Sequence, residues 1–219
     1  MQIEPLESAA RRFLENDFLS ERAVRVVELA YWVADFAELR AAACSRRAVQ
    51  AAAWFQDAWC VEEVRGGRFA APLVLAQQPM EGQRRRAAEA ADGQLRGLLD
   101  DATLDLAVRA IREAGSRATV LTEAVVLAEA VNLDSIGPLW LCGQVARCAA
   151  AERPFGTVVG LCERHVDYGY WRRRIEETLR FARSRELARQ RVAALDACMI
   201  ALRDQLSGGD RHTAPVREG

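Results

Sequence analysis

The sequence contains no lysine, and all 30 of its basic residues are arginine. No physical function requires every surface cation to be a guanidinium, so we attribute this absence to a GC-rich coding bias. Histidine is almost as scarce, with only His165 and His212 in 219 residues. Two histidines, together with six scattered cysteines that form no C-x-x-C pair, argue against a zinc site.

Long apolar runs are also missing. No uninterrupted run approaches the roughly 18 residues that a membrane-spanning helix needs, and the N-terminus carries acids where a signal peptide carries basic residues. With a formal net charge of −1, the chain has no overall attraction for nucleic acid or for an acidic membrane. These absences predict a soluble cytoplasmic protein with buried, reduced cysteines and no membrane partner, and they make nucleic acid an improbable partner.

The sequence is rich in apolar residues at helical spacing. About half of it is hydrophobic, and the apolar positions recur every three or four residues, with no segment alternating as a strand would. This pattern predicts an all-α fold. We expect one helical domain over 1–206, with a core at about 18–150 and a C-terminal helical arm at about 157–206, and a disordered tail at 207–219. The apolar stripe at 170–206, interrupted near Ser184, would pack on the domain or form a homodimer.

Capping residues locate several of the expected helices. Ser20 is expected to cap a helix that runs to about Ala43, and Ser45 to cap a second helix that ends near Trp59. Pro138 is well placed at the first position of another helix, where its missing N–H group costs nothing.

The helix that follows Ser45 delivers an amide and a carboxylate, Gln56 and Asp57, to its C-terminal end. This stretch and several others, taken in chain order, resemble the HD-domain superfamily of metal-dependent phosphohydrolases, and most closely its small, single-domain bacterial members. The likeness covers roughly residues 18 to 206. The stretches that carry it are R-A-V-R-V-V-E-L-A at 22–30, A-A-A-W-F-Q-D at 51–57, R-A-I-R-E-A at 109–114, L-A-E-A-V-N-L-D-S-I-G at 127–137 and R-E-L-A-R-Q-R at 185–191.

The resemblance implies a metal site whose ligands this sequence has largely lost. In the family, an early histidine, a His-Asp doublet and a later aspartate hold a divalent metal that polarises a phosphoester and activates water. The matching positions are Arg22, Gln56–Asp57 and Glu129, and the further histidines of many members would fall near Arg109 and Ala114. An arginine cannot ligate a cation, because its guanidinium offers only hydrogen-bond donors.

We therefore expect no metal and no cofactor, and we expect a side-chain cation in the metal's place. Arg22 would reach Asp57, Glu129 or both, with Arg109 as a second candidate, because a guanidinium satisfies carboxylates that would otherwise be buried and unpaired. The vestigial catalytic site comprises Arg22, Gln56, Asp57 and Glu129. The residues expected to contact a ligand are Arg22, Trp54, Gln56, Asp57, Arg109 and Glu129.

Three functions remain open at this point. The first is a catalytically degenerate HD-domain protein that binds a small anionic or nucleotide-like ligand, or a partner protein. The second is a divergent phosphohydrolase in which Asp57, Glu129 and Gln56 hold Mg²⁺ or Mn²⁺ loosely. The third is a structural protein that dimerises through its C-terminal helical arm.

Other residues that could carry chemistry are expected to be structural. Cys162 and His165 are three residues apart, as a nucleophile and its base could be, but nothing supplies an oxyanion hole or an orienting partner. His165 is therefore expected at the surface or in a hydrogen bond. The arginine clusters at 84–86 and 172–174 are expected to form a solvated face and a salt-bridged helix start.

Overall fold

The computed structural model describes residues 4–40, 42–75 and 78–208. These residues form helices and no β-strand, and their strand-like pairing is limited to one isolated bridge between Arg96 and Leu99. The predicted all-α fold is confirmed. The predicted disordered tail lies outside the described residues except for its first two positions, and so does His212.

Most of the helices follow one another with short connections, and the longer ones are 35–45 and 66–80. Short 3₁₀ segments occur at Ala37–Leu39, Ala58–Cys60 and Ala71–Leu75. The α-helices are α1 (Pro5–Leu14), α2 (Asp17–Ala34), α3 (Arg46–Phe55), α4 (Val61–Arg65), α5 (Glu81–Leu95), α6 (Asp101–Glu113), α7 (Thr122–Asp134), α8 (Pro138–Ala150), α9 (Gly156–Asp167), α10 (Tyr170–Thr178) and α11 (Ala182–Ser207). Within the described ranges, no single helix is both long and apolar enough to cross a membrane, although α7 and α8 together meet that test of length and composition.

The chain divides into two compact units, Met1–Ser135 and Ile136–Gly219. The first unit contains α1 to α7, and the described part of the second contains α8 to α11. The sequence predicts one domain over 1–206, with a core that extends to about residue 150. The structure instead groups α8 with the C-terminal helices.

Helix α3 lies at the centre of the first unit, where it packs against α2, α5, α6 and α7. Its residues Ala51, Ala52, Ala53, Trp54 and Phe55 are all buried. The three alanines have short side chains, so neighbouring helices can approach α3 closely on several sides. Because the C-terminal half of α3 is buried on every side, the position of the residues that follow its last turn is fixed.

Side-chain caps set the starts of α2 and α3, and one of them differs from the prediction. Ser45 caps α3, since its hydroxyl oxygen accepts the N–H of Ala48 at 3.2 Å. Ser20 does not cap α2 but is buried inside it. The cap of α2 is Asn16, whose side chain accepts the N–H of Leu19 at 3.0 Å, because asparagine caps as well as serine does and comes first in the chain.

The predicted helix ends are less accurate than the starts. Helix α2 ends at Ala34, short of the predicted Ala43, and α3 ends at Phe55 rather than near Trp59. In the second unit, Pro138 is the first residue of α8, as predicted. The predicted interruption of the C-terminal segment occurs at Leu179, where the backbone is extended, a few residues before the expected position.

Gly137, which precedes α8, has a backbone conformation that other residues avoid. Its φ is +105°, and a Cβ atom there would lie 2.8 Å from the Cβ of Arg191. We expect Gly137→Ala to lower the free energy of unfolding of the second unit by about 1–3 kcal/mol. Urea unfolding followed by circular dichroism measures this change.

Gly93→Ala is the matched control, because Gly93 lies inside α5 and an added Cβ meets nothing within 4 Å. It should be neutral or should stabilise the protein by up to about 1 kcal/mol through helix propensity. Equal losses in the two variants would contradict the strain assigned to Gly137.

Candidate functional site

A buried cluster of charged side chains joins three helices of the first unit. Arg22 comes from α2, Asp57 follows α3, and Asp134 ends α7. The Nη1 atom of Arg22 donates to both carboxylate oxygens of Asp57, at 2.9 and 2.8 Å, and its Nε donates to Asp134 at 2.9 Å. The three residues are 1%, 4% and 1% exposed. The guanidinium therefore bridges two carboxylates in the interior of the unit.

The turn after α3 holds the carboxylate of Asp57 in place. The backbone leaves the helical conformation at Asp57, whose φ and ψ are −101° and 6°. The side-chain amide of Gln56 donates to Asp57 Oδ2, and the backbone N–H of Cys60 donates to the carbonyl oxygen of Asp57 at 3.1 Å. The amide and the carboxylate thus act as one hydrogen-bonded pair at the end of the central helix.

A second arginine completes the cluster. Arg25, one helical turn beyond Arg22 on α2, donates from its Nε to the other oxygen of Asp134 at 3.0 Å, and it also binds Glu21 at the surface. The buried carboxylates of Asp57 and Asp134 are thus matched by two guanidinium groups. This balance matters because an unpaired charge in a protein interior costs several kcal/mol.

The pKa values show burial and pairing acting in opposite directions. Burial opposes the charge of Arg22, but Asp57 and Asp134 outweigh it, so the pKa of the guanidinium lies above its ordinary value. Burial raises the pKa of Asp57 to about 6, against the opposing influence of Arg22. Burial and the charge of Asp57 together raise the pKa of the Cys60 thiol to about 12. At neutral pH, Asp57 is ionised and Cys60 is a neutral thiol.

The structure brings together only some of the residues that the sequence analysis selects. Arg22 contacts Asp57, as expected, but its second carboxylate is that of Asp134 rather than Glu129. Glu129 is buried on α7. Arg109 lies outside the cluster, because its side chain is 48% exposed and its nearest carboxylates, 3.8 and 3.6 Å away, belong to its own helix.

Trp54 belongs to the core of the first unit. The residue is buried in α3, and the guanidinium of Arg11 lies over its ring at 5.2 Å from the centroid. The ring is thus covered by the protein itself, and Trp54 is not among the residues that line a described cavity. The expectation that it contacts a ligand is not supported by this position.

Sequence reasoning missed two buried acids. Asp134 lies within the stretch that carries the family resemblance, and a signal for it exists: a carboxylate at a helix C-terminus is unfavourable beside the helix dipole unless a cation compensates it. The other is Glu123, whose carboxylate accepts the backbone N–H of Ser45 at 2.7 Å and so ties the start of α3 to α7. No local pattern indicates that contact.

A small cavity adjoins Gln56 in the same unit. Its volume is about 50 Å³, and α6 and α7 contribute most of its apolar lining. The polar side chains around it are Gln56, Gln78, Arg84 and Asn132. Gln78 donates to Asn132, so the two amides are joined. The cavity and the charge cluster therefore share Gln56.

Arg84 is the cation of this cavity, which corrects its assignment to a solvated face. Its Nη1 donates to the carbonyl oxygen of Pro79, while its Nε is buried and has no hydrogen-bond partner among the described residues. It forms no salt bridge within the described part of the chain. A side chain at Gly115 would collide with the guanidinium, so the glycine makes room for it.

The residues present do not fit the metal that the family resemblance implies. Nowhere in residues 4–40, 42–75 and 78–208 do three or more His, Cys, Asp or Glu side chains form a group that could hold a metal ion. The carboxylates of Asp57 and Asp134 already accept hydrogen bonds from Arg22. A cation at this position would have to displace the guanidinium and would meet its positive charge.

Comparison with known proteins adds no relative. No family model, no curated protein and no solved structure matches the chain. The resemblance to the HD-domain superfamily therefore stays a prediction from the sequence.

In the second unit, Cys162 and His165 form no nucleophile and base. His165 stacks on Tyr170 with ring centroids 4.1 Å apart and contacts Trp140 and Trp171. The residue is of intermediate exposure, and its Nδ1 is buried without a hydrogen-bond partner in the described structure, so the expected hydrogen bond is not seen at that atom. Burial lowers the pKa of His165 and raises the pKa of Cys162 to about 11.

In the arginine cluster at 172–174, which we expected to form a salt-bridged helix start, Arg174 packs on two aromatic rings. The guanidinium of Arg174 lies 5.7 Å from the ring centroid of Trp171 and 6.0 Å from that of Tyr170.

Removing the guanidinium at the centre of the cluster should strongly destabilise the first unit. In Arg22→Met, Asp57 loses its cation and Asp134 keeps only Arg25, so we expect the free energy of unfolding at pH 7 to fall by about 3–5 kcal/mol. Denaturant unfolding measures the change. Arg109→Met, which removes an exposed arginine, is the matched control and should stay within about 0.5 kcal/mol of wild type. A loss in Arg22→Met as small as that of the control would contradict the assigned role.

The pKa of Asp57 predicts a pH dependence of stability. Because its value in the folded protein, about 6, lies above the ordinary 3.8, the folded state binds this proton more readily than the unfolded chain does. Protonation of Asp57 therefore stabilises the folded protein. This contribution is fully present below pH 3.8 and is lost as the pH rises through about 6. Compared with Asp57→Asn, which does not titrate, wild type should lose on the order of 2–3 kcal/mol between about pH 4 and pH 7.

Urea unfolding of both proteins over this pH range provides the measurement. If wild type instead gains stability relative to Asp57→Asn as the pH rises, pairing with Arg22 outweighs burial and the assigned direction is wrong.

Proposed function

We propose that the first unit is a non-catalytic binding domain on an HD-type scaffold, with a small anion as its ligand. The single observation that carries this proposal is the position of Arg22, whose guanidinium bridges Asp57 and Asp134 where the family resemblance implies a metal. The arginine keeps the carboxylates compensated and supplies none of the chemistry of a metal ion.

The bridging guanidinium cannot activate water as a metal ion does. A catalytic metal needs an open coordination position for water or substrate, whereas a guanidinium is a fixed donor that cannot lower the pKa of a bound water in that way. Cys60, the nearest thiol, is neutral at physiological pH. The cluster therefore favours a structural role over hydrolysis.

The cavity beside Gln56 supports binding and indicates the size and charge of the ligand. Arg84 contributes a cation without a carboxylate partner in the described structure, and Gln56, Gln78 and Asn132 contribute amides. A volume of about 50 Å³ exceeds the ~10–15 Å³ that one water needs. It is well below the roughly 300 Å³ at which pockets for drug-sized ligands begin. A small oxyanion fits this description better than a nucleotide.

The alternative of a phosphohydrolase that uses Asp57, Glu129 and Gln56 with Mg²⁺ or Mn²⁺ is less consistent with the geometry. Gln56 donates its amide hydrogen to Asp57, and Asp57 also accepts both bonds from Arg22 Nη1. Two of these three metal ligands are thus engaged with each other and with a cation. A homodimer through residues 170–206 stays a separate prediction.

Titration with inorganic phosphate, followed by amide chemical shifts in NMR, tests the proposal. Wild type should bind phosphate with shifts in residues that line the cavity, and Arg84→Met should weaken binding at least about tenfold, since a hydrogen bond to a charged group contributes about 1.5–3 kcal/mol. Arg85→Met is the matched control, because Arg85 is the next residue on α5 and its side chain is largely exposed. AMP should not compete, since it exceeds the cavity.

Two outcomes would contradict this function. Phosphate affinity that is the same in wild type and Arg84→Met would mean that the cavity is not the anion site. Turnover of phosphomonoesters that requires Mn²⁺ and disappears in Asp57→Asn would establish the enzymatic alternative.

A further inference from the structure

The second unit carries a groove that plays no part in the proposed anion site. Its volume is about 390 Å³, and it lies between one face of α9 and one face of α11. The lining residues of each helix recur at three- and four-residue spacing, as they do along a single helical face. Facing helices normally fill the space between such stripes with their own side chains. Here the space is open.

The groove has an apolar floor and an apolar rim. Cys162, Trp171 and Leu195 form buried parts of the lining, while Val166 and Ile200 line it with side chains that are 61% and 51% exposed. When a ligand covers large exposed aliphatic residues on both sides of a groove, their removal from water favours binding. The shape and the composition are those of a small-molecule site, for which volumes run from roughly 300 to 1,000 Å³.

The charges along the groove are mostly negative and uncompensated. Glu163 and Asp167 of α9 and Asp196 of α11 line it, and none of the three forms a salt bridge or side-chain hydrogen bond with any residue that the structure describes. The one basic residue in the lining is Arg203, whose nearest carboxylate is that of Asp204 at 4.0 Å. The lining thus carries three carboxylates and one guanidinium.

The carboxylates of Glu163 and Asp196 affect the pKa of Cys162, which forms part of the floor of the groove. Burial is the largest cause of the raised pKa of Cys162, and the charges of Asp196 and Glu163 raise it further. The pKa of Asp196 itself is raised by burial, with no neighbouring cation to offset it. Both effects would be relieved by a positive charge bound between the acids.

We propose that this groove binds a small organic cation, an amine or guanidinium carried on an apolar body. The apolar body lies against Trp171, Leu195 and the rim, and the cationic group lies between Glu163 and Asp196. This inference is independent of the anion site, because every residue it uses belongs to the second unit.

Three ligands with one apolar body and different head groups provide the test: 4-phenylbutylamine, 4-phenylbutan-1-ol and 4-phenylbutanoate. Isothermal titration calorimetry on the full chain should show the amine binding at least tenfold more tightly than the alcohol, and the carboxylate binding more weakly than both. The advantage of the amine should shrink at high salt, since partly exposed charges are screened.

Variants of the acids separate charge recognition from packing. Asp196→Asn and Glu163→Gln should each weaken binding of the amine by about three- to tenfold and leave binding of the alcohol unchanged, because size and shape are retained. Glu176→Gln on α10 is the matched control, since Glu176 is exposed and is not part of the lining. It should change neither affinity.

The proposal fails if the three ligands bind equally well, if none binds, or if Asp196→Asn has no more effect than Glu176→Gln. It also fails if light scattering shows a dimer that Ile200→Asp converts to monomer, because the groove would then be covered by a second copy of the chain.

Discussion

A charge removed from water must be compensated, and this requirement at Arg22 determines how the first unit is assembled. The guanidinium is stable in the interior only because Asp57 and Asp134 accept its hydrogen bonds from two directions. These bonds fix three helices, α2, α3 and α7, relative to one another. Two interactions thus hold the central helix α3 in position: the packing of its buried alanines and the ion pair of Asp57 after its last turn.

Replacing a metal by an arginine would preserve the architecture of such a site while changing its chemistry. Both cations hold carboxylates together, but a metal exchanges ligands and a guanidinium does not. Burying the arginine also costs free energy, and only well-placed hydrogen-bond acceptors offset that cost. Under the proposed function, the neighbouring cavity that Gln56 and Arg84 line is the part of the site that accepts a ligand, and its volume of about 50 Å³ restricts that ligand to a small one.

The accuracy of the sequence-based predictions depended on how local each interaction is. Ser45 and Pro138 act through their own first turns, so the starts of α3 and α8 were predictable. The prediction that Ser20 caps α2 was wrong because Asn16, an equally good capping residue, precedes it in the chain. The contact of Arg22 with Asp57 was inferred only through the family resemblance. Asp134, Glu123 and Arg84 derive their roles from residues distant in the chain, and no periodicity or composition encodes such contacts.

The distance along the chain between Arg22 and Asp134 has a consequence for biosynthesis. The two residues are separated by 112 positions, and the acceptor is the last residue of the last helix in its unit. During translation, Arg22 and Asp57 leave the ribosome well before Asp134 is made, so the guanidinium cannot reach both of its carboxylates until α7 has been synthesised. The charge cluster of the first unit is therefore completed only after all of its helices have been synthesised.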